Sequence, residues 1–267
     1  MKENITCGFI GLGSQGAPIA RRIIVAGYPT VLWARSESTL IPFKNLPVTL
    51  AASVQELGER CDHVGICVVG DEGVASICRQ LFPAMKAGGI IAIHSTILPQ
   101  TCQLLAEQAA VHGIAIVDAP VSGGQPAADA GTLTVMLGGT PENTELVRPV
   151  LETFAGLIVH LGDVGAGQKA KLINNSLMVA NMGLAHRAVT AGMESGLDRD
   201  ALITLLQASS GDSFALGIYG KRAGPQGFER LAMLIEKVHL LGEMLGKEHE
   251  SYKLFLASAT QLLAADR

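Results

Sequence analysis

No apolar run in this 267-residue chain approaches the roughly 18 residues needed to cross a bilayer, because Gly, Asn, His or a charged residue breaks each one. No membrane partner is expected. Charge of one sign is also scarce: 20 Lys and Arg stand against 24 Asp and Glu, a net charge of -4 with no basic cluster. That leaves no electrostatic footprint for nucleic acid or an anionic membrane surface. The five cysteines, Cys7, Cys61, Cys67, Cys78 and Cys102, form no C-x-x-C pair, so free buried thiols in a reducing cytoplasm are expected. None of the seven histidines forms an H-x-x-x-H pair, and no metal site is expected. The chain reaches a glycine-rich turn by Gly11, so the short run before it reads as a strand and not as an export signal. Internal repeats and low-complexity tracts are missing. What is there is 48% hydrophobic and 16% charged, the composition of a well-buried globular protein whose partners are small molecules.

Up to about residue 161, short β-rich runs alternate with helical patterns: Ile5–Ile10, Thr30–Ala34, Val48–Ala51, His63–Val69, Gly89–Ile93, Ala115–Val117 and Leu133–Leu137. Such alternation predicts a parallel sheet with helices on both faces. Ser53-Val54-Gln55-Glu56 reads as a capping box, and Pro99 and Pro141 fit the first turns of helices. After Gly167 the texture becomes helical, over 168–195, 198–207, 228–246 and 248–265. Gly162 to Gly167 is the natural hinge. The fold class is therefore α/β, a Rossmann-type doubly wound domain over 1–164 followed by an all-helical domain over 165–267.

Gly11-Leu12-Gly13-Ser14-Gln15-Gly16 follows a strand and opens a helix with Ile19, Ile23 and Ile24 on its apolar face. In that context G-x-G-x-x-G is a dinucleotide fingerprint: a tight turn, close backbone approach to a pyrophosphate, and helix packing on the strand. The second strand ends in Trp33-Ala34-Arg35-Ser36, with no carboxylate where NAD ribose hydroxyls are usually met. Arg35 can pair with a 2′-phosphate and Ser36 can hydrogen-bond it, which favours NADP and leaves NAD as the alternative. The loops Val69–Asp71, His94–Thr96 and Asp118–Gly124 follow later strands and should line the same cleft at the carboxyl edge, bringing Val69 and Thr96 to the cofactor.

Lys171 and Asn175 lie about one helical turn apart on a stretch otherwise rich in Leu172, Ile173, Leu177, Met178 and Val179. A lysine kept among apolar neighbours can lose its proton near neutral pH, as an acid/base requires. The other reading of K-x-x-x-N is a lysine that snorkels to the surface. Lys169, about 200° round the helix, should face solvent. Ser122-Gly123-Gly124 offers a hydroxyl and unencumbered N–H groups suited to a small carboxylate, although a plain loop can carry the same residues.

Taken in order, the glycine turn, Ser95-Thr96 with Pro99, D-A-P-V-S-G-G at Asp118–Gly124 and G-x-G-Q-x-x-K-x-x-N-N at Gly165–Asn175 resemble the β-hydroxyacid dehydrogenase family over nearly the whole chain. The resemblance implies 3-hydroxyisobutyrate dehydrogenase-like or tartronate semialdehyde reductase-like chemistry. It implies substrate carboxylate binding by Ser122, Gly123 and Gly124, Lys171 as catalytic acid/base, Asn175 holding the substrate, and Lys237 beside the nicotinamide. The substrate is then a small hydroxy acid or semialdehyde. Apolar residues on the long helix, with Met178, Met182 and Met193 among them, suggest a homodimer or homotetramer.

The chain departs from the family pattern at four places. Lys237 is followed by Val238 and not Asp, His94 stands where Asp commonly precedes Ser-Thr, Gln15 replaces a methionine, and Arg267 ends the chain about a helix early. Two further readings follow: a cofactor-binding regulator with impaired catalysis, and a reductase of a larger aldehyde with Phe214, Leu216 and Tyr219 as pocket wall. His239, near Lys237, is read as a structural histidine with a smaller chance of meeting substrate.

Overall fold

The computed structural model describes residues 5–221 and 231–262. The chain divides into two compact units, Met1–Lys171 and Leu172–Arg267.

In the first unit, β1 (Cys7–Ile10), β2 (Thr30–Trp33), β3 (Val48–Leu50), β4 (His63–Ile66), β5 (Ile90–Ile93) and β6 (Ala115–Asp118) form one parallel sheet in the order β3-β2-β1-β4-β5-β6. The strand order reverses between β1 and β4, so the chain leaves β1 toward one edge and later fills the other. The carboxyl ends of those two strands are the crevice where doubly wound folds bind ligands. Alternate residues supply the two faces. Phe9, Leu32, Ala92 and Val117 pack on one side against α1 (Gly16–Val25) and residues of α6 (Pro141–Leu151). Ile10, Val31, Ile66, Ile93 and Ile116 pack on the other against α2 (Val54–Arg60), α3 (Gly70–Leu81) and α4 (Pro99–Ala110).

Local signals act where the sequence places them. Ser53 Oγ accepts the Glu56 N–H at 3.0 Å, Glu56 reaches back to the Ala52 N–H at 2.8 Å, and Pro99 and Pro141 open α4 and α6. One expectation is corrected. Leu133–Leu137 does not extend the large sheet but forms β8 of a separate three-stranded sheet, between β7 (Val121–Ser122) and β9 (Ala155–His160), antiparallel to the first and parallel to the second. An isolated antiparallel bridge between Asp118 and Gly138 links the end of β6 to the residue after β8, and the Pro120 carbonyl accepts the Met136 N–H at 3.0 Å. The strand β9 was not foreseen. Short α5 (Gly124–Ala130) follows β7, and its last turn is clipped to α1 by Arg22, whose guanidinium donates twice to the Asp129 carbonyl at 2.6 and 3.0 Å.

Helix α7 (Ala166–Glu194) begins in the first unit and runs into the second, which adds α8 (Arg199–Gln207), α9 (Phe214–Gly220), α10 (Leu231–Leu245) and α11 (Glu250–Ala259). The described residues of the second unit contain helices and no strand. Its core joins Val179, Met182 and Val189 to Ile203, Leu216, Tyr219, Val238 and Tyr252. Helix α9, capped by the Ser213 hydroxyl on the Leu216 N–H at 3.1 Å, lies outside the segments expected to be helical. Expected helical residues 228–230 and 263–265 lie outside the described residues. Among the described residues no helix is long and apolar enough to cross a membrane.

All five cysteines are free. Burial pushes the thiols of Cys7, Cys61 and Cys78 up to about 12 and that of Cys67 to about 11.

Two histidines lie in the core of the first unit. Burial lowers His63 from 6.5 to about 3, with the nearby His94 acting in the same direction, and lowers His94 to about 4 against the opposing pull of its Ala119 bond. Above about pH 6.5 both are neutral whether the chain is folded or not, so stability is unaffected there. As the pH falls from there toward 4, the unfolded chain takes up protons that the folded one refuses, costing up to about 1.4 kcal/mol per histidine per pH unit. Urea unfolding midpoints should therefore drop between pH 7 and pH 5, and His63→Leu should flatten part of that slope. Parallel slopes in the two proteins would show that His63 is not a source of it.

Candidate active site

The glycine turn divides its labour. A methyl at Gly11 would overlap the Cys67 carbonyl, and one at Gly16 would overlap the Gly11 carbonyl, so both positions are fixed by packing inside the protein. At Gly13 nothing lies within 4 Å of where a Cβ would stand. That open side, at the start of a ten-residue helix with no acidic residue in its first turn, suits a pyrophosphate. Leu12 is buried, Gln15 is half-buried, and Gly13 and Ser14 are exposed. Arg35 and Ser36, just past β2, are both exposed, and the Ser36 hydroxyl shares a 2.8 Å hydrogen bond with Ser38. Val69, which caps α3, is 94% exposed just past the end of β4.

The loops after β4, β5 and β6 are tied to one another. The Val68 N–H donates to Ser95 Oγ at 2.8 Å, and Asp71 accepts from the Leu98 N–H at 3.0 Å and the Thr101 hydroxyl at 2.5 Å. Thr96 is half-buried between these ties. Asp118, fully buried at the end of β6, accepts the N–H groups of Gly165 and Gln168 at 2.7 Å each. Burial raises its pKa, and those backbone donors oppose the rise. Methyl groups at Gly138 or Gly167 would overlap this carboxylate or the carbonyls beside it, which explains both glycines. The Gln168 side chain, also fully buried, accepts the Ile97 N–H at 3.1 Å and donates to the Ser95 carbonyl at 2.8 Å.

Lys171 follows one turn later. Its side chain is buried, the residue being 9% exposed, and its Nζ donates to the Val121 carbonyl at 2.6 Å. That carbonyl belongs to the residue immediately before Ser122. Gly123 and Gly124 both have positive φ, 126° and 68°, and a methyl at Gly123 would overlap Ala127. The turn needs glycine there whether or not a ligand binds. Ser122 is half-buried. Lys169 faces solvent, as its angle from Lys171 required. Asn175, one turn beyond Lys171, is 3% exposed, and its Nδ2 has no hydrogen-bond partner among the described residues, a demand that a bound polar ligand could meet.

In the second unit Lys237 is half-buried on α10 and burial lowers its pKa. Val238 is fully buried in the helical core, so a family-like aspartate would be placed among Tyr219, Tyr252 and Val179. His239 shares a 3.0 Å hydrogen bond with the Tyr252 hydroxyl, the structural role expected of it. The proposed pocket wall is corrected: Leu216 and Tyr219 belong to the core, and only Phe214 is exposed, bordering a surface hollow of about 350 Å³ with Ile218 and Lys221. His94 is also in the core, stacked 5.9 Å from Phe9, edge-on to Phe154 and bonded through Nδ1 to the Ala119 carbonyl at 2.9 Å.

Sequence reasoning assigned no role to Asp118 or Gln168. A signal was present: Asp118 is the one charge in Ile114–Val121, and a lone acid at the end of a buried strand needs donors.

The NAD-binding domain model of 6-phosphogluconate dehydrogenase matches residues 6–162, and that of the NAD-binding part of NADP-dependent 3-hydroxyisobutyrate dehydrogenase matches residues 165–265. An uncharacterized oxidoreductase of Mycobacterium tuberculosis is 37% identical over 90% of this chain and 83% of its own length. A 3-hydroxyisobutyrate dehydrogenase of Pseudomonas aeruginosa is 34% identical over 81% of this chain and 74% of its own, and an NAD-dependent L-serine dehydrogenase of the same species is 33% identical over 81% and 74%. Among solved structures, Mycobacterium tuberculosis 3-hydroxyisobutyrate dehydrogenase with L-serine superposes with a TM-score of 0.87 at 26% identity, covering 98% of this chain and 94% of that one.

Proposed function

Because this chain belongs to the β-hydroxyacid dehydrogenase family of NAD(P)-dependent enzymes, we propose that it moves a hydride between NADP(H) and a small β-hydroxy acid or its semialdehyde, with Lys171 as proton acceptor and donor. The hydrogen bond from Lys171 Nζ to the Val121 carbonyl carries this reading: it holds the amine one residue from the Ser122–Gly124 turn, so an acid anchored there presents its β-hydroxyl to the amine. Ser122 and the N–H groups of Gly123 and Gly124 bind the carboxylate. Lys171 takes the hydroxyl proton as the alcohol is oxidised and returns it in the reverse direction. Asn175 Nδ2 holds the reacting oxygen or its neighbour. Gly11 to Gly16, Val69, Thr96 and Lys237 hold the cofactor, which when bound supplies the redox chemistry. 3-Hydroxyisobutyrate and L-serine, named in the relatives, both carry a carboxylate and a β-hydroxyl and are the first substrates to assay. Retention of the buried lysine and its carbonyl partner argues against an inactive regulator.

Lys171→Ala should lower kcat by about two to four powers of ten while leaving the NADPH dissociation constant within a few-fold. Steady-state assays with fluorescence titration of NADPH check this, and undiminished turnover would remove Lys171 from the mechanism.

NADP preference rests on Arg35 and Ser36, exposed beyond β2 with no acid at the ribose position. Arg35→Ala should raise KM for NADPH by about 10- to 100-fold and leave KM for NADH nearly unchanged. Equal effects on both cofactors would contradict a 2′-phosphate contact.

We also propose self-association. Ile173, Leu177 and Leu184 are large, half-exposed apolar side chains on one long helix, α7. Sedimentation should give a dimer or tetramer, with Leu177→Asp shifted toward monomer; a monomeric wild type at micromolar concentration would reject it.

A further inference from the structure

Two of the elements that the proposed reaction must hold in register come from distant parts of the chain. The loop Ser95–Ile97 follows β5 and carries Thr96 to the cofactor crevice; Lys171 stands on the first turns of α7. One side chain joins them. The Gln168 amide uses both its ends, the oxygen accepting the Ile97 N–H at 3.1 Å and the nitrogen donating to the Ser95 carbonyl at 2.8 Å. Those two bonds straddle Thr96. The link extends further, since Ser95 Oγ accepts the Val68 N–H at 2.8 Å and so carries the tie to the loop that presents Val69. On its own backbone, Gln168 donates its N–H to Asp118 at 2.7 Å, three residues before Lys171. The amide is fully buried, and the Cys102 thiol, kept protonated by burial, lies against it.

A merely space-filling residue here would not need two opposed hydrogen-bonding ends. Methionine has the same reach and would fill the space. What methionine lacks is a donor and an acceptor placed on the two sides of one loop residue.

We propose that Gln168 is a positioning residue for hydride transfer: its amide locks the cofactor loop on either side of Thr96 to the turn of α7 that carries Lys171. It touches neither substrate nor cofactor. The proposal rests on the reading of Lys171 as the acid/base, and it extends that reading to a residue acting through two others.

Gln168→Met removes both bonds and keeps the volume. Gln168→Glu tests the bonds themselves. A neutral carboxyl group offers one acceptor and one O–H donor and so reproduces the amide pattern, whereas the ionised form turns an acceptor toward the Ser95 carbonyl. Burial favours the neutral form as the pH falls.

In Gln168→Met, kcat for 3-hydroxyisobutyrate or L-serine should fall by about 10- to 100-fold, with KM and NADPH affinity within a few-fold, as misplacement of otherwise intact groups produces. Gln168→Glu should match the methionine variant at pH 8.5 and recover toward the wild-type rate at pH 6, each value taken relative to wild type at the same pH. A second readout needs no turnover: acetylation of Lys171 by acetic anhydride, normalised to exposed Lys169 and quantified by peptide mass spectrometry. The Lys171 to Lys169 ratio should rise several-fold in Gln168→Met and return toward wild type in Gln168→Glu at pH 6. Wild-type kcat and labelling in the methionine variant would overturn the proposal, as would a glutamate variant that tracks methionine at every pH. If the wild type oxidises neither acid, the proposed function falls, while the labelling ratio still decides whether Gln168 positions the lysine. Should Gln168→Met not fold, the glutamate variant at pH 6 and pH 8.5, each relative to wild type at the same pH, gives the same decision.

Discussion

A single buried carboxylate, that of Asp118, holds the start of a helix to the end of a strand, and the candidate site is assembled around that junction. The first turn of any helix leaves N–H groups without partners, and burying them unmet costs about 1–3 kcal/mol each. Asp118 meets two of them with its two oxygens. In return the N–H groups and the positive end of the helix stabilise a charge that burial alone would disfavour. The local sequence follows from this exchange. Gly138 and Gly167 have no side chains because the carboxylate and neighbouring carbonyls occupy that space. Three residues beyond Asp118, the Val121 carbonyl meets Lys171, so segments 118–121 and 165–171 are joined at both ends.

Much of this could be read from the sequence, for identifiable reasons. The six-stranded sheet follows from short β-branched runs separated by helical patterns, and α7 from a long stretch free of proline and of β-branched runs. The lysine and asparagine were visible because polar groups stand out on such a helix. The three-stranded sheet was not visible, since β7 is two residues long and β9 carries two glycine-adjacent positions and little alternation. It is joined by pairings such as the Pro120 carbonyl with the Met136 N–H, across 16 residues, that no local pattern encodes. Helix α9 is a single short segment in which Gly217 and Gly220 dilute the helical signal. Gln168 stands in the Gly165–Asn175 motif, but its task is not legible there, because its two partners lie more than 70 residues earlier in the chain.

The departures from the family pattern acquire physical content in the structure. At position 238 a valine belongs because the site is walled by apolar side chains of the helical unit, where an unpaired carboxylate would be costly. At position 94 a histidine belongs because Phe9 and Phe154 offer it two aromatic faces and Ala119 one carbonyl. Both side chains are packed in the interior of their units. Neither removes any of the hydrogen bonds that tie Asp118, Gln168 and Lys171 together.

The sulfur chemistry of the chain follows from where its cysteines lie. With thiol values near 11 or 12 for four of the five, only about one side chain in ten thousand or fewer is a thiolate at neutral pH, and the thiolate is the form that oxidants and alkylating agents attack. Ambient peroxide or oxidised glutathione therefore has little purchase on these four side chains.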